Sequence, residues 1–386
     1  MTTYLYPKSF PDGNQFLFLK TVLAESNQFI PLWKQWKSET DLDLIDKSTF
    51  RLLPTLYLRI KQEDNFEDEW LGKIKGVYRQ GWVKNQMFLS TASSVVSAFN
   101  EHGIPSIFMK GIALLLSSYN DLGGRMMGDI DILIPTNKAC EASNLLLSLG
   151  YSSRRAPEVK QFNQQNILQY TRACHESSFK NSNGHIVDLH FISPFYTVVD
   201  PKLIALFWDT AVEVEVNATP ALVLSPELNF LHVCCHGTVY NPQPSYRWVV
   251  DAMQTLKATP NFDWKKLIEM SKAMDLMFNL KMATIYLSEN FVVSIPEEEL
   301  QVIKSYVPSA VEKWKFYSNA EKQRFKLNHL PVIWKKFQIQ YKPKSKVFAY
   351  YYFLNFLKDA HGLKHRRSLF QFYNQRLFVR VKRLLN

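Results

Sequence analysis

The chain of 386 residues is poor in cysteine: Cys140, Cys174, Cys234 and Cys235 form no Cys-x-x-Cys pair. That excludes a zinc ribbon and a small disulfide-stapled scaffold, and leaves reduced, packed thiols as the expectation. Long apolar runs are missing as well. The nearest, Val347 to Leu357, is rich in aromatics, carries Asn355 and falls short of the roughly 18 residues a spanning helix needs. The start, Met-Thr-Thr-Tyr-Leu-Tyr-Pro-Lys, has neither the charged opening nor the apolar core of an export signal, so the expected location is cytoplasmic. No internal repeat and no low-complexity tract is found. At 46% hydrophobic and 21% charged residues the composition is that of a folded globular protein, and the length suits two or three packed units.

Acidic residues are scarce at one end only. Residues 301–386 hold 19 Lys and Arg against three acids, Glu312, Glu321 and Asp359, whereas the first 300 residues hold 27 basic and 32 acidic groups. The whole positive excess of the chain, +11, therefore sits in its last quarter. Such a segment attracts polyanions such as nucleic acid, acidic lipid or a polyphosphorylated ligand, or is a solvated surface that keeps the chain soluble.

Hydrophobic periodicity divides the chain into four regions: an N-terminal helical region (1–100), a mixed core (101–200), a helical region (201–300) and a basic, aromatic-rich helical tail (301–386). The last helix of the first region is the clearest, with Phe88, Ala92, Val95, Val96 and Phe99 on one face and Gly103 and Pro105 as stops. Glu39 to Leu53 reads as a solvated helix. In the core, Ile104 to Lys110 reads as a strand turning at Gly111 into the helix of Ile112 to Leu116. A loop with Gly123-Gly124 leads to a second strand, Asp129 to Ile134, and Ala139, Ala142, Leu146 and Leu149 follow at helical spacing. Segments 176–181 and 185–192 flank Asn183-Gly184, a pair suited to a tight hairpin turn at positive φ. Beyond Pro201 strand-like alternation is brief (Val212 to Val216), and helices are expected at Pro226 to His236, Tyr246 to Leu256 and Trp264 to Leu287. The predicted fold class is α+β: a small mixed sheet with helices, embedded in a largely helical protein.

The chemistry concentrates on carboxylates. Side chains alternate across a strand, so Asp129 and Asp131 share one face while Ile130, Ile132 and Ile134 line the other. Two like charges so placed repel, and a hard cation such as magnesium relieves this. On the second hairpin strand Ile186, Asp188 and His190 share a face, which makes Asp188 a third carboxylate. Three acids on neighbouring strands suit a site with two magnesium ions for phosphoryl or nucleotidyl transfer. A second Asp-x-Asp, Asp41 and Asp43, lacks the flanking strand, glycine turn and later acid. Lys110 and Gly111 stand where strand meets helix, a place for phosphate or a tight turn with a surface lysine. Gly128 immediately precedes the pair. Arg125 is placed either to reach the same phosphates or to pair with a nearby acid. His232 and His236 share a helical face, as metal ligands or as packed rings. Arg247 is a candidate for the triphosphate, with a salt bridge to Asp251, four residues on, as the alternative.

The run Gly103-Ile-Pro-Ser-Ile-Phe-Met-Lys-Gly111, then Arg125-Met-Met-Gly-Asp-Ile-Asp-Ile-Leu-Ile134, Leu149-Gly-Tyr151 and Val187-Asp-Leu-His190 resembles the bacterial uncharacterised nucleotidyltransferase family of the DNA polymerase beta superfamily. The likeness extends over about residues 80–255, and includes Leu231-His-Val-Cys-Cys-His236-Gly and Arg247-Trp-Val-Val-Asp251. It implies the minimal nucleotidyltransferase fold, magnesium held by Asp129, Asp131 and Asp188, and a nucleoside triphosphate donor such as ATP. Lys110-Gly111 replaces the superfamily's usual Gly-Gly or Gly-Ser, and the spacing from Gly111 to Asp129 is longer than in compact members.

The leading expectation is thus a magnesium-dependent nucleotidyltransferase that moves a nucleoside monophosphate to an unidentified acceptor and releases pyrophosphate. A glycosyltransferase also uses an Asp-x-Asp pair, and a catalytically inactive nucleotide- or polyanion-binding module is the non-enzymatic alternative. For the tail, a single-stranded nucleic acid groove, an amphipathic surface helix over 364–385, and aromatics packed inward with only the charges wet all fit its composition.

Overall fold

The computed structural model describes residues 6–7, 9–154, 157–163, 176–191, 200–238 and 245–320, with isolated positions between 164 and 199 and parts of 334–371. Four helices open the chain: α1 (Gly13–Val22), α2 (Ser26–Ser38), α3 (Lys47–Ile60) and the long α4 (Leu71–Glu101). Aromatic side chains lock α2 to the segment before α4, with Phe29, Trp33, Trp36, Phe66 and Trp70 ringed against one another. The expected helix from Glu39 begins only at Lys47, because Asp46 caps it by accepting the Ser48 and Thr49 N–H groups. Asp41 and Asp43 consequently lie in an exposed turn, Asp43 paired with Lys73 at 2.9 Å.

The sheet is built from β1 (Ile107–Met109), β2 (Ile130–Leu133), β3 (Ser152–Ser153), β4 (Glu176–Lys180), β5 (Ile186–His190), β6 (Val212–Val216) and β7 (Thr219–Val223). Their order is β3-β4-β5-β2-β1-β7-β6. β1 and β2 are antiparallel, whereas β2 and β5, and β1 and β7, run parallel. β1 and β2 sit at the centre and are buried along their whole length, so the apolar run of each is covered on both faces. The α+β expectation holds, with a larger sheet than the sequence indicates. Periodicity passes over two strands, the two-residue β3 and β7, the latter because Pro220 argues against a strand interior. Proline is tolerated there because β7 pairs with β1 only at Leu222 and Val223, beyond it.

Two turns differ from expectation. In the β4–β5 hairpin only Gly184 takes positive φ, at 84°, and Asn183 does not. The primed two-residue turn occurs instead between β6 and β7, where Asn217 and Ala218 stand at φ 47° and 62°.

Helices cover the sheet: α5 (Lys110–Ser117), α6 (Ala139–Ser148), α7 (Pro201–Asp209), α8 (Pro226–Gly237) and α9 (Arg247–Ala258). The single helix expected at 264–287 is two, α10 (Trp264–Ala273) and α11 (Met277–Asn290), broken at Asp275, whose φ is 64°. Then come α12 (Glu297–Ser305), α13 (Ala310–Ala320) and α14 (Lys346–Ala360). In the tail Phe337, Phe353, Phe356, Leu357 and Leu369 form a cluster of their own, while Tyr351, Tyr352 and Phe370 are exposed. Most of the segment read as an amphipathic surface helix, 364–385, lies outside the described residues, as do Cys174 and residues 239–244. Among the described residues no helix is long and apolar enough to cross a membrane.

α8 and α9 meet at a glycine. A Cβ on Gly237 would lie 2.2 Å from both Cβ and Cγ of Trp248, atoms too close to the backbone to swing aside. Gly237→Ala is expected to lower unfolding free energy by about 1–3 kcal/mol or more, as overpacked cores do. Urea denaturation reads this directly, and an unchanged midpoint would refute the contact.

Candidate active site

Strand register brings the acids together. Asp131 and Asp188 are Cα partners across the parallel β2–β5 ladder, and Asp131 also faces Met109, the residue before Lys110. Alternation puts Asp129, just ahead of β2, on the face of Asp131. Asp131 is only 1% exposed. Its Oδ1 accepts from Lys110 Nζ at 2.5 Å and lies 2.8 Å from His190 Nε2. Burial alone would push the Asp131 carboxyl up, but the Lys110 ammonium and the hydrogen bond with His190 outweigh it and hold the group well below the usual carboxylate range.

The flanking acids behave in the opposite way. Burial raises the Asp188 carboxyl despite a hydrogen bond from Ser178, and the charges of Asp131 and Glu176 add to the shift. Asp129 is likewise raised, first by loss of water and then by Asp131, although its exposed position lets solvent screen part of the effect. Asp131 is thus the fixed charge, and Asp129 and Asp188 are the carboxylates whose charge is least compensated by the protein.

Lys110 reaches Asp131 from a strained backbone, its φ of 51° being the left-handed region that a side chain disfavours. It is the first residue of α5, directly after β1. The lysine read as a phosphate ligand or surface charge is therefore placed first as the counter-ion of Asp131. Gly111 follows without room for more: a Cβ there would come 3.0 Å from Arg125 Nη1. Gly128 is exposed, with nothing within 4 Å of a built Cβ.

Arg125 is buried and bidentate on Asp251 of α9, with Nε to Oδ1 at 2.8 Å and Nη2 to Oδ2 at 3.0 Å. Tyr119 donates its hydroxyl to the same Oδ1 at 2.7 Å. Of the two partners open to Arg125, the structure shows the acid. Arg247, for which Asp251 was the alternative partner, stands 3.7 Å from Oδ2 and donates Nη1 to the Met126 carbonyl at 2.9 Å. Burial and the neighbouring Arg125 charge lower its pKa to about 10, with Asp251 opposing. One carboxylate thus serves two guanidinium groups, and Arg247 is the cation in surplus.

His232 and His236 lie on α8 with ring centroids 5.9 Å apart. Burial holds His232 well below the ordinary imidazole range, and His236 is lowered to about 4 by loss of water and then by Lys110, although its exposed position lets solvent screen part of the effect. Both are neutral rings, His232 set edge-on to Phe195. His190, Glu176, Ser178 and Tyr119 complete the surroundings and were not singled out as site residues. The one available signal was His190, on the face of Asp188. Glu176 stands opposite His190 in the β4–β5 register, 3.6 Å from its Nε2.

The donor set is chemically suited to magnesium: three carboxylates, with Asp131 Oδ2 buried and without a hydrogen-bond partner. As the side chains stand, no group of three His, Cys, Asp or Glu among the described residues is arranged to hold a metal ion. An ion would draw Asp129 and Asp188 toward Asp131, and it would share that carboxylate with Lys110.

Asp251→Asn leaves Arg125 and Arg247 buried without a counter-charge and is expected to cost about 3–5 kcal/mol, with Arg125→Met in the same chain recovering part. A double-mutant cycle by denaturant unfolding checks this; additive losses would show the pair uncoupled. Buried His232 sets a pH dependence. Below about pH 6.5 the unfolded His232 takes up a proton that the folded one refuses, so stability is full above that pH and declines as pH falls. His232→Asn should flatten the thermal midpoint between pH 6.5 and 5; an unchanged slope would count against a neutral buried ring.

Residues 48–291, more than half of the chain, match the model of a family described as uncharacterised nucleotidyltransferase. No curated protein matches the chain. Among solved structures, an antigenic nucleotidyltransferase-like protein from Paracoccidioides brasiliensis is similar at 13% identity and a TM-score of 0.34, over 52% of this chain and 90% of that one. With the matched span running from α3 through α11, and the carboxylate strands and the Arg125–Asp251 pair inside it, the chain belongs to the uncharacterised nucleotidyltransferase family.

Proposed function

We propose that the protein is a magnesium-dependent nucleotidyltransferase, taking a nucleoside monophosphate from a nucleoside triphosphate and passing it to an acceptor hydroxyl. The observation that carries this reading is the register of Asp131 with Asp188, next to Asp129, three carboxylates of which two lack a compensating protein charge. Magnesium held by Asp129, Asp131 and Asp188, two ions in the full site, would neutralise charge on the phosphates and lower the proton affinity of the attacking oxygen.

The chain's own residues do the positioning. Lys110 and His190 fix the Asp131 carboxylate, so one ligand is oriented in advance. The first turn of α5, at Lys110 and Gly111, and the surplus Arg247 offer positive potential to the triphosphate. The acceptor oxygen, positioned in line, gives its proton to solvent as it bonds to the α-phosphorus. The bond from that phosphorus to the bridging oxygen breaks in line, and pyrophosphate leaves. The neutral His232 and His236 place no further positive charge there. The net positive tail suits a polyanionic acceptor, and small molecules, sugars and proteins are further acceptor classes.

The test is pyrophosphate release with each of the four nucleoside triphosphates, with and without magnesium, and with cell extract as the source of acceptor. Asp129→Asn/Asp131→Asn should reduce magnesium-dependent release by about 10²–10³-fold or more while the protein stays folded. Nucleotide binding without release by the wild type would favour the binding module, and transfer of sugar from a nucleotide sugar would favour the glycosyltransferase.

A further inference from the structure

The long helix α4 turns an apolar row toward the body of the protein, and two buried members break it, Gly81 and Asn85, one turn apart. Both face the loop 118–129 that leads from α5 to the Asp pair. The Asn85 side-chain amide spends both of its hydrogens there, on the carbonyl of Leu122 at 2.5 Å and on that of Arg125 at 2.7 Å. Carbonyl oxygens only accept, so the nitrogen must face them, and Asn85 Oδ1 is left buried with no hydrogen-bond partner. A leucine would fill this position without that unmatched oxygen, so packing alone does not account for asparagine. Gly81 lies close to the loop, where a Cβ would make ordinary contact with the Gly123 carbonyl oxygen at 3.7 Å.

Neighbouring side chains hold the same segment. Thr55 of α3 donates its hydroxyl to the Gly124 carbonyl at 2.9 Å, and Tyr78 of α4 donates to the Asp121 carboxylate at 2.9 Å. Asp121 in turn accepts the Gly123 N–H at 2.8 Å. A Cβ on Gly123 would meet the Tyr78 ring at 2.5 Å, and one on Gly124 would meet Leu58 at 2.7 Å. The glycine pair is thus a seat for α3 and α4. The far side of the loop is held by α9, through Arg125 on Asp251 and Arg247 on the Met126 carbonyl.

We propose that Asn85 is a positioning residue of the active site: by fixing the carbonyls of Leu122 and Arg125 it sets where the Arg125 guanidinium and, four residues on, Asp129 stand. The N-terminal helices are then part of the catalytic apparatus. The kinetic side of this inference rests on the nucleotidyltransferase reading, and the structural side does not.

The test compares Asn85→Leu, near-isosteric and lacking both donors, with Leu89→Ala, which opens a gap on the same helix without removing a hydrogen bond. Each is studied well below its Tm by amide hydrogen exchange over residues 119–128, and by kcat and KM for pyrophosphate release. Asn85→Leu is expected to speed loop exchange about tenfold or more and to lower kcat/KM about 10- to 100-fold, mainly through kcat, as misplacement near 1 Å does. Leu89→Ala should lower Tm while leaving loop exchange and kcat/KM near wild type. Unchanged loop exchange in Asn85→Leu, or equal losses in both variants, would overturn the proposal. If the wild type releases no pyrophosphate with any triphosphate while Asn85→Leu still frees the loop, the enzymatic reading falls and the loop-fixing role stands.

Discussion

The geometry of the site hangs on one buried ion pair, Arg125 with Asp251. Desolvating both charges is expensive, and the return is set by how well the geometry closes: two parallel N–H···O bonds and a third from Tyr119 on the same carboxylate. Pairs of this kind contribute more to specificity than to net stability. Here the specificity is architectural. Arg125 sits in the loop that delivers the Asp pair, and Asp251 sits on the helical layer, so the pair fixes α9 to the sheet in a single orientation. Apolar contact alone carries no such directionality, whereas a bidentate fork does.

A second constraint follows from Asp131, a full charge at the centre of a sheet covered on both faces. Such a group must be matched, and Lys110 matches it at the expense of a left-handed backbone at the strand-to-helix turn. The cation does not come free of consequence. While Lys110 holds Asp131, the unmatched negative charge of the site is displaced onto Asp129 and Asp188, the two carboxylates whose proton affinity is raised. The protein therefore keeps one acid ionised and oriented, and leaves the other two in want of a counter-charge.

The sequence made the central strands legible because period-two alternation is local: Asp129, Asp131 and Asp188 could be assigned to faces from their own neighbours. Strand β7 was not, since Pro220 contradicts a strand interior and only the long-range pairing shows that β1 stops short of it. The Arg125–Asp251 pair joins residues 126 apart. Helical spacing offered Arg247 as the partner of Asp251 instead, and the structure gives that pair the longer contact. Gly123-Gly124 read as a loop, and their flush contact with Tyr78 and Leu58 depends on helices assembled from another region. Asn85 did carry a signal, a polar residue on the buried stripe of an amphipathic helix, but without the loop opposite it that signal has no meaning.

Around Arg125 and Arg247 the cations exceed the one carboxylate that faces them both. Asp251 neutralises one guanidinium, and two approach it. Water does not settle the difference, because Arg247 is largely buried, and burial is the leading cause of its lowered pKa. Relaxation by rotating the side chain outward is opposed by its bond to the Met126 carbonyl, which ties the guanidinium to the loop carrying the acids. A cation held in place, partly dehydrated and short of a partner, is preorganised for an anionic ligand that brings its own charge. Carboxylates on the neighbouring strands would repel such a ligand unless a cation lay between them, which is the charge arrangement the proposed magnesium-dependent reaction calls for. Loop 118–129, clamped between α4 and α9, keeps those opposed charges at a fixed separation.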